Sequence, residues 1–331
     1  MLDGHNPQHI HQAAQALARG ELLGLPTETV YGLAADADNA QAVAKIFSTK
    51  GRPSDHPLIV HVAEAADAAH FASDIPAFAK SLMAAFWPGP LTLILPRRDG
   101  VAAAAAGGHA TVGVRCPAHP AAHAVLRECQ RLGVHGLAAP SANRFGRVSP
   151  TTAEHVASEF ADLLVLDGGP CAVGIESTIV DCTRGEPVIL RPGMISREQI
   201  QRVCALRDAA QMPQAAPKAS GTLEAHYAPH AKVRLMDAAA IQTALDILGK
   251  PGPGEKFPAL GVYSRSIMRL PHPGVVWRAM PQEAASAASE LFARLREFDE
   301  EQVQLLWVET PPVDTEWEGV NDRLHRAAAS A

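Results

Sequence analysis

Lys50 and Arg52 stand two apart in the run Lys50-Gly51-Arg52-Pro53. In an extended stretch, that spacing puts both cations on one side. Lysine as a point charge and arginine as a bidentate fork suit a polyphosphate. An exposed charged turn is the alternative. Ser141 and Asn143, again two apart, offer a hydroxyl and an amide to a sugar, base or phosphate, and Ser149 follows shortly after. Arg115 closes the short apolar run Thr111–Arg115, where a buried cation needs an anion or solvent. The segment Pro26–Leu33 (PTETVYGL) crowds Thr27, Glu28, Thr29 and Tyr31 behind an apolar strand. Strand ends are where α/β proteins place ligands. His61 ends the apolar run PLIVHV; a satisfied core histidine is the other reading. Each segment alone is weak. Ordered after strands along one chain, they point to a single cleft for an anionic ligand.

Other chemistries lack their signatures. Gly249-Lys250 is followed by Pro251, so no G-x-x-x-x-G-K-[ST] loop exists, and neither G-x-G-x-x-G nor H-E-x-x-H occurs. There is no G-x-S-x-G elbow for a nucleophile. His119/His123 and His226/His230 are spaced four apart but have no third metal ligand in view, and Pro229 argues against a helix at the second pair. A surface or core role is expected for both, with no metal site.

These residues must be positioned by regular elements. Helical patterns cover Gln8–Arg19, Asn39–Phe47, Ala63–Phe71 and Ile75–Phe86. Strand patterns cover Glu21–Leu25, Pro57–Val62, Leu91–Leu95, Thr111–Arg115, Leu137–Ala139, Leu163–Leu166, Thr178–Asp181 and Val188–Leu190. Thr151 with Glu154, and Ser196 with Gln199, read as capping boxes. The Ala102–Ala106 run before Gly107-Gly108 reads as a mobile loop. This first α/β domain spans residues 1–206. Residues 207–230, with Pro213, Pro217, Gly221 and Pro229, read as a linker. Residues 231–331 read as a smaller α/β domain, with strands Lys232–Met236, Ala259–Tyr263 and Val303–Val308 and helices Glu283–Phe298 and Gly319–Ala329.

Composition narrows the function class. At about 150 residues per domain, 331 residues suggest two domains. The 47% apolar and 19% charged content excludes wholesale disorder and coiled coil. A net charge of −6 argues against bulk nucleic-acid binding. No apolar run approaches the roughly 20 residues of a membrane span. No signal peptide is read at the start, and five widely spaced cysteines without C-x-x-C fit a reduced, cytoplasmic protein.

Taken in order, the segments are identifiable. K-x-R at Lys50/Arg52, S-x-N at Ser141/Asn143, PTETVYGL, GIESTIVD at Gly174–Asp181 and LRPG at Leu190–Gly193 together resemble the YrdC-domain family. HYAP at His226–Pro229 and the ending NDRLHRAA resemble the long two-domain form, the threonylcarbamoyl-AMP synthases. The resemblance implies a YrdC-like twisted mixed sheet with helices packed on it, plus a C-terminal Rossmann-like α/β domain. It implies synthesis of L-threonylcarbamoyladenylate from L-threonine, bicarbonate (or CO2) and ATP, with pyrophosphate released. Mg2+ on the phosphates and a downstream tRNA threonylcarbamoyl-transferase complex are implied with it.

The resemblance also implies residue roles. Lys50 and Arg52 neutralise phosphates. Ser141, Asn143 and Ser149 hold the nucleotide, with Arg191 on the same side. Thr111 and Arg115 lie between nucleotide and threonine, with Arg115 on the threonine carboxylate. Thr27, His61 and Ser177 line the threonine pocket. Tyr227 reaches the nucleotide from the linker, which folds over as a lid. The family often reads S-P-G-M before HYAP. Here the stretch is Ala219-Ser220-Gly221-Thr222, and only the glycine is kept. The competing readings are an RNA-binding YrdC module with weak RNA contact, and carbamoyl transfer in hydrogenase maturation. The second lacks its expected zinc and acylphosphatase segments here.

Overall fold

The computed structural model describes residues 1–208, 215–248, 259–267 and 274–330. Part of the expected linker, 209–214, lies outside the described residues. The chain divides into two compact units: Met1–Phe145 with Ser149–Thr222, and Gly146–Val148 with Leu223–Ala331.

The first unit runs β1 (Leu2–Asp3), α1 (Pro7–Ala18), β2 (Leu23–Leu25), β3 (Gly32–Asp36), α2 (Ala40–Lys50), β4 (Ile59–His61), α3 (Ala68–Phe71), α4 (Ala77–Phe86) and β5 (Leu91–Pro96). It continues through β6 (Thr111–Arg115), α5 (Pro120–Arg131), β7 (Leu137–Ala138), α6 (Ala153–Glu159), β8 (Leu166–Asp167), β9 (Thr178–Asp181), β10 (Val188–Arg191) and α7 (Arg197–Gln201). Eight strands form one mixed sheet in the order β10-β9-β5-β6-β4-β7-β3-β2. β4 runs parallel to β6 and β5 to β9; the other neighbours are antiparallel. Alternate strand residues face opposite cores. Leu33, Ala35 and Ala138 join one apolar cluster with Val43, Ile46 and Leu82. Ala34 and Leu137 join another with Leu17, Val125 and Leu126. Both faces are therefore covered by helices, as the near-continuous apolar strands require.

Local chemistry sets the helix ends. Asn6 and Asn39 cap α1 and α2 by accepting backbone N–H groups. Gly51 ends α2 in the left-handed conformation, φ 65°, which glycine adopts without strain. Ser196 and Gln199 form the expected capping box on α7. The other box does not form: Thr152, not Thr151, caps α6 by accepting His155 N–H. Thr152 has the extended backbone a cap needs.

The sequence patterns missed β1, β3 and α5 here, and in the second unit the helix Ala238–Leu248 and the strand Val275–Ala279. The Ala-rich run is also not a loose loop. Ala102, Ala105 and Ala106 are buried, and the Arg97 guanidinium ties the turn down through the Val101 and His109 carbonyls. Small side chains let this turn pack where larger ones would not fit.

The second unit contains β11 (Lys232–Met236), α8 (Ala238–Leu248), β12 (Leu260–Ser264), β13 (Val275–Ala279), α9 (Ala284–Glu300), β14 (Leu305–Glu309) and α10 (Glu318–Ala328). Its four strands are all parallel, in the order β11-β14-β12-β13. The expected Rossmann-like pattern of parallel strands and crossover helices is present. No helix among the described residues is long and apolar enough to cross a membrane.

Candidate active site

The K-x-R and S-x-N motifs meet directly. Lys50 is the last residue of α2 and is 3% exposed. Its ammonium donates to the Ser141 and Asn143 carbonyls, each at 2.5 Å. Two of its three protons are thereby spent on the S-x-N loop, and one is left. Burial holds the Lys50 pKa well below the ordinary lysine value, and Arg52 nearby adds to this. Glu159 and Glu176 pull it the other way. Lys50 and Arg52 are thus neighbours through the turn at Gly51, not through an extended stretch.

Arg52 is also buried. It donates to the Pro57 carbonyl at 2.9 Å and the Ser220 hydroxyl at 3.3 Å, and its guanidinium lies over the Phe145 ring. Arg191 joins it through the same residue, donating from Nη1 to the Ser220 carbonyl at 2.9 Å. The rest of Arg191 grips Ser177, with Nε and Nη2 on its carbonyl and Nη2 on its hydroxyl. Gly193 explains how LRPG comes so close to GIEST. A Cβ there would stand 2.5 Å from Thr178 N and 2.8 Å from Glu176 O. Ser149 is fully buried and donates to Glu176 Oε1 at 2.5 Å. Asn143 turns its amide onto the Arg144 carbonyl.

A second cluster forms at the C-terminal end of β6. Arg115 is 4% exposed. Its Nη1 donates to Thr29 Oγ1 at 2.9 Å, its Nε to the Gly89 carbonyl at 3.3 Å, and its Nη2 lies 2.6 Å from Glu28 Oε1. His61 sits beside Arg115 in register across β4 and β6. Burial, reinforced by the Arg115 charge, lowers the His61 pKa to about 3, so the ring is neutral near pH 7.

Several expected residues spend their side chains on the fold. The Thr27 hydroxyl donates to the Val30 carbonyl and accepts Thr29 and Val30 N–H groups, which shapes the turn. The Ser177 hydroxyl is shared between Thr92 and Arg191. Thr111 begins β6, about 13 Å along the strand from Arg115 at its other end. Tyr227 belongs to the second unit. It is 1% exposed with φ 62°, packs beside Phe292 and lies over the Arg323 guanidinium. Glu28 and Thr29 were read from the sequence only as part of a polar crowd, and Glu176 and Ser220 were given no role. The first three lie inside motifs whose polar residues could not be ranked by type alone. Ser220 carries no sequence signal.

No three His, Cys, Asp or Glu side chains gather as a metal cage among the described residues. His119 is spent on capping α5 and on the Gly168 carbonyl.

Comparison with known proteins fits this geometry. Residues 15–193 match the family model described as "Telomere recombination", and residues 195–329 match that of the threonylcarbamoyl-AMP synthase C-terminal domain. The Bacillus subtilis threonylcarbamoyl-AMP synthase is 38% identical over 99% of this chain and 94% of its own length. The Schizosaccharomyces pombe enzyme of the same name is 35% identical over 93% of this chain and 85% of its own. The crystal structure of Pyrococcus abyssi Sua5 complexed with L-threonine superposes with a TM-score of 0.85 at 34% identity, covering 98% of this chain and 95% of that one. With both domain models matched in order and relatives aligned along almost its whole length, the chain belongs to the threonylcarbamoyl-AMP synthase family.

Proposed function

We propose that the chain makes L-threonylcarbamoyladenylate from L-threonine, bicarbonate (or CO2) and ATP, for tRNA threonylcarbamoyladenosine modification. One observation supports this most: buried Lys50 holds the S-x-N loop by two backbone carbonyls, with Arg52 beside it. A buried cation pair built into the fold suits a polyphosphate.

The threonine amine and bicarbonate give a carbamate and water. A carbamate oxygen attacks the α-phosphorus, the bond to the β-phosphate oxygen breaks, and pyrophosphate leaves. Such chemistry requires alignment and charge stabilisation, without a protein nucleophile. Lys50, Arg52 and Arg191 supply positive charge along the phosphates. Ser141, Asn143 and Ser149 form the wall for the nucleotide. Arg115 receives the threonine carboxylate and neutral His61 its neighbourhood. The roles of Thr111 and Tyr227 rest on the motif match alone. Mg2+ would be carried by the phosphates of ATP, which is its usual habit. The product's consumer is a tRNA threonylcarbamoyl-transferase complex.

The test is pyrophosphate release from ATP with threonine and bicarbonate supplied together and each omitted in turn. Release is expected only when both are present. Threonine-independent release would replace this reading with plain ATP hydrolysis.

A further inference from the structure

Glu28 has no role in the reaction as described, yet it is 8% exposed and lies against Arg115. Each partner is fixed by its other atoms. Arg115 Nε is held by the Gly89 carbonyl and Nη1 by the Thr29 hydroxyl. Glu28 Oε2 accepts the Ala118 N–H at 3.1 Å, and its backbone carbonyl accepts Val173 N–H. What remains is Nη2 of one and Oε1 of the other, 2.6 Å apart. Both atoms are buried, and neither makes an aligned hydrogen bond. They attract as charges, but the N–H bonds of Nη2 point elsewhere and the Oε1 lone pairs are unspent. Buried polar atoms with unspent capacity are uncommon and call for a partner.

An α-amino acid carries its carboxylate and its ammonium on one carbon. Receptors for the two groups must therefore be adjacent and of opposite sign. We infer that Glu28 Oε1 and Arg115 Nη2 form a charge-matched receptor for an amino-acid zwitterion, with Glu28 taking the ammonium of threonine. The inference rests on Arg115 holding the threonine carboxylate. The Glu28–Arg115 pair is neutral in sum and the zwitterion is neutral, so binding leaves no buried charge unmatched. A carboxylic acid without the amine would satisfy Arg115 and leave Glu28 unanswered. Glu28 thus selects amino acids over hydroxy acids, a discrimination that sites built around a hydrogen-bonded group achieve well.

The experiment is calorimetric titration of the full chain with L-threonine and with 3-hydroxybutyrate, which keeps the carboxylate, hydroxyl and methyl groups and lacks the amine. The unaltered chain should bind threonine at least about 10-fold more tightly. Glu28→Gln should weaken threonine about 10- to 100-fold and leave 3-hydroxybutyrate within about 3-fold, or tighten it. Equal weakening of both ligands would overturn the inference, because Glu28 would then only hold Arg115 in place. Unchanged threonine affinity would overturn it as well. Should Glu28→Gln fail to fold, Glu28→Asp withdraws the charge by one methylene and must show the same selective loss. Arg115→Gln should weaken both ligands, and no effect on either would also overturn the pairing. Threonine-dependent pyrophosphate release by the unaltered chain is read in parallel. If it is present while the titrations go against Glu28, only the zwitterion receptor falls; if it is absent, the functional reading itself falls.

Discussion

Single side chains carry most of the expected chemistry, and two of them give direct tests. Lys50→Ala removes a charge-assisted contact to the phosphates of about 1.5–3 kcal/mol, so turnover efficiency should fall roughly 10- to 100-fold in steady-state assays. Full activity in this variant would remove Lys50 from the phosphate site. His61 gives a stability test with a definite sign. Its folded pKa of about 3 lies below the ordinary value of 6.5. Between those values the unfolded chain binds more protons, so stability rises with pH through that window and falls on acidification. One such histidine costs about 2 kcal/mol at pH 5 relative to pH 7. Urea melts of His61→Gln against the unaltered chain should show that component missing; parallel pH dependences would contradict it.

Elements decide where these side chains point. Helix α2 ends at Lys50, and Gly51 turns the chain so that Arg52 stays beside it. Gly51→Ala puts a Cβ on a left-handed residue and should cost about 1 kcal/mol, seen as a lower melting midpoint. Gly193→Ala is the sharper case. Its Cβ would meet the Thr178 backbone nitrogen, so LRPG must move away from GIEST, taking Arg191 off Ser177. The expected result is a larger loss in ATP turnover than Gly51→Ala gives. Equal, small effects would mean that the Arg191–Ser177 link does not support the site. The capping error at α6 has a similar lesson. Thr151 and Thr152 are the same residue type, and only the backbone conformation chose between them.

At the scale of the whole molecule, the second unit has its own buried charge. Arg323 is fully buried on α10, bonded to Asp322 and lying beneath Tyr227. Removing a buried, paired cation commonly costs about 3–5 kcal/mol. Arg323→Ala should therefore unfold at distinctly lower denaturant. A midpoint unchanged from the original chain would show that Tyr227 is held by apolar packing alone. The HYAP segment sits on this unit's own elements, with His226 N–H donating to the Arg326 carbonyl and Arg326 reaching the Leu223 carbonyl.

The sequence by itself determined the alternating α/β character, most strands of the sheet and the set of polar segments around the site. Those signals are local: β-branched runs, capping residues and motifs of fixed spacing. It also named Lys50 and Arg52 by their spacing and Arg115 by its place in an apolar run, while Arg191 came from the LRPG motif of the family resemblance. Only the tertiary structure decided what each side chain does with its hydrogen-bonding groups. Thr27 and Thr29 lie in one motif, yet one closes its own turn and the other holds Arg115. Glu28 stood in plain view and gained meaning only once β6 brought Arg115 to within 2.6 Å of it. Pairings across 86 to 168 residues of chain, such as Thr29 with Arg115 or Arg52 with Ser220, depend on strand order and register. No local pattern encodes that order, because it follows from how all the strands pack at once.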